Sequence, residues 1–376
     1  MNKSPLLSII VPTKNRHKFL TYLVDFFCAI KTEELELVIQ DNSDDNSQTT
    51  EFLDNIKDER IKYFYTPHSI PISENSDKAI LNSTGKYICY MGDDDLFAPN
   101  ILEAISIMQK YHAEVALFTI PVFVWPDCKG TKIWDISTPY RIPKATGKIR
   151  VLDSLEEMKK IFKAGASPLG YLPKVYHAIA TRECLDRVYE QYSSYFPGSS
   201  PDMANAVALA LNNVKTIHVD YPFLIGGTGM TRITGNEKGD NQKDMTKLRF
   251  LPANIEQIWD KRIPKVWAGE TIHPQTALEV LKKAWQIDYS KYINFNLLYF
   301  KFVTHHPQDR KYIYTLLSPM QYPSFLYYSL KFTCKYIANR IARKLSGKRL
   351  VITEEVPDIV AYTKIVLEYN KDVIVR

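Results

Sequence analysis

The sequence predicts an α/β protein in which a mainly parallel sheet is flanked by helices, followed by a mostly helical C-terminal region. Through the first 124 residues, short apolar runs alternate with longer amphipathic segments, and this alternation is typical of βαβ units. From about residue 246 to residue 345 the apolar spacing is helical instead. The chain has 376 residues, of which 45% are hydrophobic and 24% charged. It is therefore long enough to bury a large core and to divide once.

Five strands and four helices are predicted in the first third of the chain. The strands are short runs of apolar residues at 6–11, 35–40, 61–65, 86–91 and 115–124. The helices are the amphipathic segments at 17–30, 46–56, 73–85 and 99–112. Gly85 is placed as the C-terminal stop of the third helix, and Pro99 as the first-turn proline of the fourth.

The pattern loosens from about 125 to 170, where prolines accumulate, and then becomes regular again. Two further strands are predicted at 174–181 and 214–223, and two further helices at 182–192 and 201–213. The Gly-rich stretch 226–240 predicts a mobile loop.

We place a domain boundary near residues 240–250. Residues 1–245 then form one domain with halves of about 1–124 and 125–245, and residues 246–376 form the C-terminal helical region.

Three polar clusters directly follow predicted strands. They read "PTKNR" (12–16), "DNSDDNS" (41–47) and "GDDD" (92–95). The carboxyl ends of parallel strands share one edge of a sheet, and open α/β sheets bind ligands there. Adjacent carboxylates raise one another's pKa and repel, and a divalent cation such as Mg²⁺ or Mn²⁺ would relieve that repulsion. The alternative is a solvated acidic turn serving the N-terminus of the next helix.

The stretches "LSIIVPTKNR", "LVIQDNS" and "NSTGKYICYMGDDDLFAP" resemble, in order and spacing, the successive motifs of family 2 glycosyltransferases. The resemblance covers roughly residues 6–230 and implies a GT-A-like, Rossmann-type sheet. It implies an inverting hexosyltransferase that moves a sugar from a nucleotide-sugar, expected to be a UDP-sugar, to an acceptor hydroxyl. The implied cofactor is Mn²⁺ or Mg²⁺, the implied acceptor is a glycan or lipid-linked glycan, and the implied context is bacterial surface polysaccharide synthesis.

The resemblance also implies roles for individual residues. Those expected to bind the nucleotide-sugar are Pro12, Thr13, Asn15, Asp41, Asn75 and Asp93. The metal is expected at Asp94 and Asp95, in a motif whose first position is Asp in many relatives and Gly92 here. Asp202 opens a predicted helix after a small-residue loop and matches the family's general base. Its alternative role is to stabilise the helix N-terminus.

Three further polar features have weaker functional interpretations. His177 and His218 lie in predicted strands, where a lone histidine is more often a packed side chain than a ligand. Residues 226–229 with Arg232 are either a flexible lid over the diphosphate or an ordinary long loop.

The net charge of +6 arises from one segment. Residues 321–350 contain seven Lys or Arg and no Asp or Glu, against 41 basic and 42 acidic residues elsewhere. Within 321–349 one helical stripe is apolar, formed by Leu326, Leu330, Ile337, Ile341 and Leu345. This segment is expected to rest on an anionic membrane face. The alternative is a core helix with solvated lysines.

Several classes of protein are disfavoured. The five cysteines include no CxxC pair, so neither a disulfide framework nor a zinc knuckle is indicated. No signal peptide and no membrane-spanning run is predicted, and the expected location is the cytoplasm or the inner face of the cell membrane.

The alternatives to an active glycosyltransferase are an inactive transferase-like scaffold at a membrane and a sugar-phosphate nucleotidyltransferase. The latter needs a Gly-rich loop that "PTKNR" lacks. No nucleic-acid partner is expected, because the basic segment contains no familiar nucleic-acid motif.

Overall fold

The computed structural model describes residues 4–128, 140–229, 245, 248, 250–284, 288–345, 349–352 and 355–376. Its strands are β1 (Leu7–Thr13), β2 (Leu35–Asp41), β3 (Ile61–Tyr65), β4 (Tyr87–Tyr90), β5 (Leu96–Phe97), β6 (Val115–Phe118), β7 (Val122–Val124), β8 (Tyr140–Pro143), β9 (Ile149–Leu152), β10 (Ala178–Thr181), β11 (Thr216–Val219), β12 (Leu224–Thr228) and β13 (Arg349–Ile352). Its α-helices are α1 (His17–Ala29), α2 (Ser47–Asp54), α3 (Ile72–Leu81), α4 (Leu102–Tyr111), α5 (Ser154–Lys163), α6 (Arg182–Tyr192), α7 (Pro201–Leu211), α8 (Ile255–Ile258), α9 (Gly269–Ala284), α10 (Phe295–His305), α11 (Arg310–Leu316), α12 (Tyr322–Leu345) and α13 (Ile359–Asn370).

An eight-stranded sheet organises the described chain in the order β3-β2-β1-β4-β10-β6-β11-β9. Its pairs β3–β2, β2–β1, β1–β4 and β6–β11 are parallel. Strands β10 and β9 run antiparallel to their neighbours. The predicted α/β class, with a mainly parallel sheet flanked by helices and a mostly helical C-terminal region, is therefore confirmed.

Two hydrophobic layers cover the two faces of this sheet, because successive strand residues point to opposite sides. Ile9 belongs to the layer that contains α1, α4 and α13. Its neighbour Ile10 belongs to the layer that contains α3, α5, α6, α7 and part of α9. Both isoleucines are fully buried. The C-terminal region therefore contributes helices to both faces of the N-terminal sheet.

The predicted strand 115–124 is wrong as a single strand. It forms β6 in the large sheet and β7 in a three-stranded sheet with β5 and β12, and the chain changes sheets around Pro121. A proline cannot donate a ladder hydrogen bond, which is consistent with a break at this point.

The prediction of a mobile loop over 226–240 is wrong for its first three residues, because β12 extends to Thr228. A Cβ atom on Gly227 would lie 1.7 Å from the carbonyl oxygen of Asp94. The glycine therefore allows close approach of two backbones rather than mobility. The rest of that stretch, with Arg232, lies outside the described residues apart from Gly229.

Two predicted helix ends are misplaced. Helix α3 ends at Leu81, before Gly85. The Gly85 amide instead donates to Ser8 Oγ at 2.8 Å, and a Cβ on Gly85 would lie 2.7 Å from the Ser8 nitrogen. Helix α4 begins at Leu102 rather than at Pro99, and it ends on His112 in the left-handed conformation.

The C-terminal region has two parts. Helices α10, α11 and α12 share a cluster that includes Tyr299, Phe302, Ile313 and Phe325. Beyond it, β13 pairs with β8, and Tyr362 of α13 packs in the main core. The boundary predicted near 240–250 falls mostly outside the described residues. Of the helices in the described part, none is both long and apolar enough to cross a bilayer.

Candidate active site

A cavity of about 530 Å³ opens at the carboxyl ends of β1 and β4. This volume lies within the range of small-molecule sites. Its wall comes from the loops after β1, β2 and β4, from α3, from the residues before β10, from the start of α7 and from the C-terminal region. It includes Pro12, Thr13, Lys14, Arg16, Asn42, Asn75, Gly92, Asp93, Asp94, Tyr176, His177, Ser199, Ser200, Asp202, Phe250, Trp267 and His273. The cavity thus joins residues of all three predicted polar clusters to the start of α7 and to the C-terminal region.

The carboxylate of Asp93 is held between the loop after β1 and a guanidinium group. Thr13 Oγ1 donates to Asp93 Oδ2 at 2.5 Å, and Arg16 Nε lies 3.2 Å from Asp93 Oδ1. Burial raises the pKa of Asp93, the charge of Arg16 opposes the rise, and the charge of Asp94 adds to it. Asp93 is therefore fixed at the cavity wall by two residues that follow the apolar run of β1.

Asp94 contacts the same guanidinium and the start of the Gly-rich stretch. Arg16 Nη2 lies 2.6 Å from Asp94 Oδ2, and the Gly229 amide donates to that oxygen at 3.1 Å. Burial acts to lower the pKa of Arg16, but the nearby carboxylates hold it above its ordinary value. Arg16 is therefore an internal cation that offsets the repulsion between neighbouring aspartates.

Asp95 faces protein donors. Its carboxylate accepts from the amides of Gly92 and Gly227 at 2.6 and 2.7 Å, and His177 Nε2 lies 2.6 Å from its Oδ2. Burial acts to raise the pKa of Asp95, but His177 and the two amides hold it below its ordinary value. Among the described residues, Asp95 is not part of the cavity wall. Its contacts tie the acidic loop to β12 and to the residue before β10.

Asp202 lies in the first turn of α7, after Ser200 and Pro201. It lines the cavity, and no described donor forms a hydrogen bond with its carboxylate. Burial raises the pKa of Asp202, and the positive charges of His273, His177 and Lys174 offset only part of the rise. A carboxylate with a raised pKa on a cavity wall can accept a proton, and its helical position is also the one expected of a helix-stabilising aspartate.

The remaining candidates are distributed more widely. Asn75 lines the cavity, and its buried Oδ1 lacks a hydrogen-bond partner among the described residues. Asn15 lines a separate cavity of about 310 Å³ and donates to Asp44 at 2.8 Å. Asp41 is fully buried and accepts from the Tyr63 hydroxyl at 2.8 Å and the Ser43 amide at 2.7 Å. Of these three, only Asn75 faces the main cavity.

The two histidines differ in their surroundings. His218 is buried in β11, edge-on to Tyr171. His177 has φ 53° and lies just before β10. Because β10 runs antiparallel to β4, the residues before β10 lie at the edge where those after β4 lie. His177, expected within a strand, therefore lies just before β10 and on the cavity wall, a placement that sequence reasoning missed.

Sequence reasoning also missed the C-terminal wall of the cavity. Trp267 packs edge-on against Phe250, and both line the cavity with His273 of α9. His273 Nδ1 lies 2.6 Å from the Ser167 carbonyl oxygen, so Nδ1 carries the proton in this contact. These residues come from far along the chain and follow no local motif.

The described residues include no group of three or more His, Cys, Asp or Glu side chains arranged to hold a metal ion. Mg²⁺, however, commonly uses only one or two protein carboxylates and completes its shell with water and phosphate oxygens. Asp94, on the cavity wall beside Asp93, fits that requirement.

Comparison with known proteins agrees with the motifs. Residues 8–156 match the model of Glycosyl transferase family 2. An uncharacterized glycosyltransferase of Haemophilus influenzae is 27% identical over 165 residues, which is 42% of this chain and 64% of that protein. Another, of Rickettsia bellii, is 28% identical over 107 residues, which is 28% of this chain and 15% of that protein. The matches thus span less than two thirds of these relatives' own lengths.

Among solved structures, the crystal structure of S. aureus TarS 1-349 in complex with UDP-GlcNAc is 15% identical. It covers 93% of this chain and 97% of that chain, with a TM-score of 0.45. The complex of TarS 1-349 with UDP covers the same shares at 14% identity and a TM-score of 0.43.

Proposed function

We propose that the protein is a family 2 glycosyltransferase that moves a sugar from a UDP-sugar to an acceptor hydroxyl with inversion. One observation supports this above the others. A single cavity has two buried aspartates with an internal arginine on one part of its wall and an isolated carboxylate, Asp202, on another. Inverting transfer needs these two kinds of carboxylate, one to help hold the donor and one to accept a proton.

On the donor side, the proposed contacts to the nucleotide-sugar are Pro12, Thr13, Asn15, Asp41, Asn75 and Asp93. Thr13, Asn75 and Asp93 lie on the cavity wall, whereas Asn15 and Asp41 would act from the adjoining edge of the sheet. Asp94 would hold Mn²⁺ or Mg²⁺, which when bound supplies Lewis-acid stabilisation of the diphosphate. For Asp95, proposed from the sequence as a second ligand, the contacts favour a supporting role.

On the acceptor side, Asp202 would take the proton of the attacking hydroxyl. The acceptor oxygen then bonds to the anomeric carbon on the face opposite the diphosphate. The bond from that carbon to the phosphate oxygen breaks, and its electron pair leaves with UDP. The raised pKa of Asp202 supports this role, because a stronger base takes the proton more readily.

The experiment is a panel of UDP-sugars incubated with the protein and Mn²⁺, with UDP release as the measurement. We expect one UDP-sugar to be hydrolysed by the wild type at least about 100-fold faster than by Asp202→Asn. Binding of UDP with Mn²⁺ but no turnover of any donor would favour the inactive scaffold. Release of pyrophosphate from UTP and a sugar phosphate would favour the nucleotidyltransferase.

We further propose that α12 attaches the protein reversibly to an anionic membrane on the cytoplasmic side, where a lipid-linked glycan acceptor would reside. Phe325 is buried in the C-terminal cluster, but Leu326 and Leu330 on the same helix are 63% and 69% exposed. The packing of α12 therefore leaves apolar side chains uncovered. Seven basic and no acidic residues in 321–350 make an anionic surface the fitting partner.

A further inference from the structure

The loop before Asp202 is held by helix α9 of the C-terminal region. The Ser199 amide donates to Glu279 Oε2 at 2.9 Å, and Ser199 Oγ donates to the same carboxylate at 2.9 Å. The next amide, of Ser200, donates to Thr276 Oγ1 at 3.0 Å. Two consecutive backbone amides are thus fixed by α9 immediately ahead of the helix that carries Asp202.

Glu279 is an unusual side chain to find at this place. It is 8% exposed, and burial raises its pKa above the ordinary value. A buried carboxylate is costly unless it is well hydrogen-bonded. The described donors to Glu279 are the backbone amide and the hydroxyl of Ser199 and the side-chain amide of Gln275, which donates at 2.9 Å. The hydrogen bonds of Glu279 therefore act mainly to fix the loop at Ser199.

Other contacts reinforce the same attachment. Lys283 of α9 donates to the Pro197 carbonyl at 2.9 Å. A Cβ on Gly198 would lie 2.7 Å from the Thr276 methyl group, so the loop passes α9 too closely for a larger residue. Helix α9 also supplies His273 to the cavity wall. One helix from outside the matched segment 8–156 therefore both anchors the loop and lines the site.

We propose that Glu279 is a positioning residue that sets the place of the Asp202 carboxylate in the cavity. This inference rests on the proposed function, in which Asp202 is the general base. Asp202 has no described hydrogen-bond donor of its own, so its position follows from the backbone of the loop and of α7. A small displacement of a base from its substrate lowers turnover steeply, whereas donor binding is unaffected.

The test compares Glu279→Gln and Glu279→Ala with Glu270→Gln. Glu270 lies on the same helix but contacts His305 and His306 instead of the loop. Hydrolysis of UDP-GlcNAc, or of whichever UDP-sugar the panel selects, is measured with Mn²⁺. We expect kcat to fall on the order of 10-fold for Gln and 100-fold for Ala, because Gln keeps one acceptor oxygen. KM and the calorimetric affinity for UDP with Mn²⁺ stay within about twofold, and Glu270→Gln keeps the wild-type kcat.

Two further measurements separate positioning from general destabilisation. Amide hydrogen exchange at Ser199 and Ser200 is expected to accelerate in Glu279→Gln and Glu279→Ala but not in Glu270→Gln, and this readout needs no turnover. In an Asp202→Asn background, Glu279→Gln is expected to lower the residual rate no further, since both act through one group.

The outcomes distinguish this inference from the function on which it rests. If Asp202→Asn abolishes turnover but Glu279→Ala leaves kcat unchanged, the positioning role is wrong and the proposed base stands. An additive loss in the double variant, or unchanged exchange at Ser199 and Ser200, also overturns it. If Asp202→Asn keeps the wild-type rate, the proposed base is wrong, and faster exchange at the two amides would then show only that Glu279 anchors the loop.

Discussion

His177 Nε2 lies 2.6 Å from Asp95 Oδ2, in a contact that joins the residue before β10 to the acidic loop after β4. The Asp95 side chain is 1% exposed and that of His177 18% exposed. Removing one partner of a buried pair leaves the other without compensation. The two side chains are therefore expected to matter for the stability of the loop that carries Asp93 and Asp94.

We predict that His177→Ala lowers the free energy of unfolding by about 2–3 kcal/mol, because Asp95 loses its charged partner and keeps two amide donors and a long contact of 3.5 Å from the Tyr176 hydroxyl. Urea unfolding at pH 7 measures the change. His68→Ala, at an exposed histidine, is the control and should change the free energy by less than about 0.5 kcal/mol. An equal effect of the two substitutions would show that the contact contributes nothing.

Asp94→Asn is predicted to abolish transfer by weakening metal and donor binding together. Asn has nearly the same size as Asp but lacks the charge that a divalent cation requires. The measurements are calorimetric binding of UDP with and without Mn²⁺ and turnover of the selected UDP-sugar. Asp54→Asn is the matched control, because Asp54 is an exposed aspartate at the end of α2 and is not part of the cavity wall. Near wild-type turnover with unchanged metal dependence in Asp94→Asn would mean that another group holds the metal.

Asp202→Asn is predicted to lower turnover at least about 100-fold while the affinity for UDP with Mn²⁺ changes less than twofold. The pKa of Asp202 is raised, and a base must be deprotonated to act. The rate of the wild type should therefore fall as the pH drops through a pKa above the ordinary value of 3.8, and Asp202→Asn should lack this limb. A large loss of nucleotide affinity would instead place Asp202 in the donor site.

The sequence allowed prediction of those parts of the site that follow parallel strands. Thr13 after the apolar run of β1 and Asp93 after that of β4 meet at one hydrogen bond, as the shared sheet edge requires. The sequence did not reveal that β10 is antiparallel and begins at Ala178, so His177 was expected within a strand rather than at the sheet edge. A helical repeat in the sequence also does not indicate which turn of α9 reaches the cavity with His273 or the loop with Glu279. Both placements depend on long-range packing. The same limit applies to α13, whose Tyr362 packs in the main core.

A stability prediction concerns Glu36, a nearly fully buried residue of β2. It accepts from Ser8 Oγ at 2.6 Å, the Thr84 amide at 2.5 Å and Lys62 Nζ at 2.6 Å. We expect Glu36→Gln to lower the free energy of unfolding by about 2 kcal/mol at pH 7, because the amide group of Gln faces a donor. The control is Glu51→Gln, at an exposed position of α2.

The pH dependence of this effect follows from the pKa of Glu36. Burial acts to raise that pKa, but the hydrogen bonds from Lys62, Ser8 and Thr84 hold it below the ordinary value of 4.5. A depressed carboxylate pKa stabilises the fold above the unfolded-state pKa, and this stabilisation is lost as the pH falls through the folded-state pKa. The difference between wild type and Glu36→Gln should therefore be full at pH 7 and shrink below about pH 4.5. A difference that does not change with pH would mean that the charge of Glu36 is irrelevant.

The last prediction concerns α12 and anionic lipid. Deleting the chain beyond residue 320 is a poor test, because Phe325 and Tyr362 are buried in two clusters and their loss would damage the fold. Substitution at exposed positions is safer. We predict that the double variant Leu326→Glu with Leu330→Glu keeps its unfolding temperature but no longer floats with vesicles that contain phosphatidylglycerol. Leu81→Glu, at a leucine of α3 that is 52% exposed, is the control and should float like the wild type.

Vesicle composition and salt separate the contributions to this attachment. Each cation near an anionic surface contributes on the order of 1 kcal/mol and is screened by salt. The wild type should therefore float with phosphatidylglycerol vesicles at low salt, less at high salt, and not with neutral phosphatidylcholine vesicles. If the wild type stays in the soluble fraction with both lipids at low salt, the membrane role is wrong. Self-association that the double variant abolishes would then identify a second copy of the chain as the partner that covers Leu326 and Leu330.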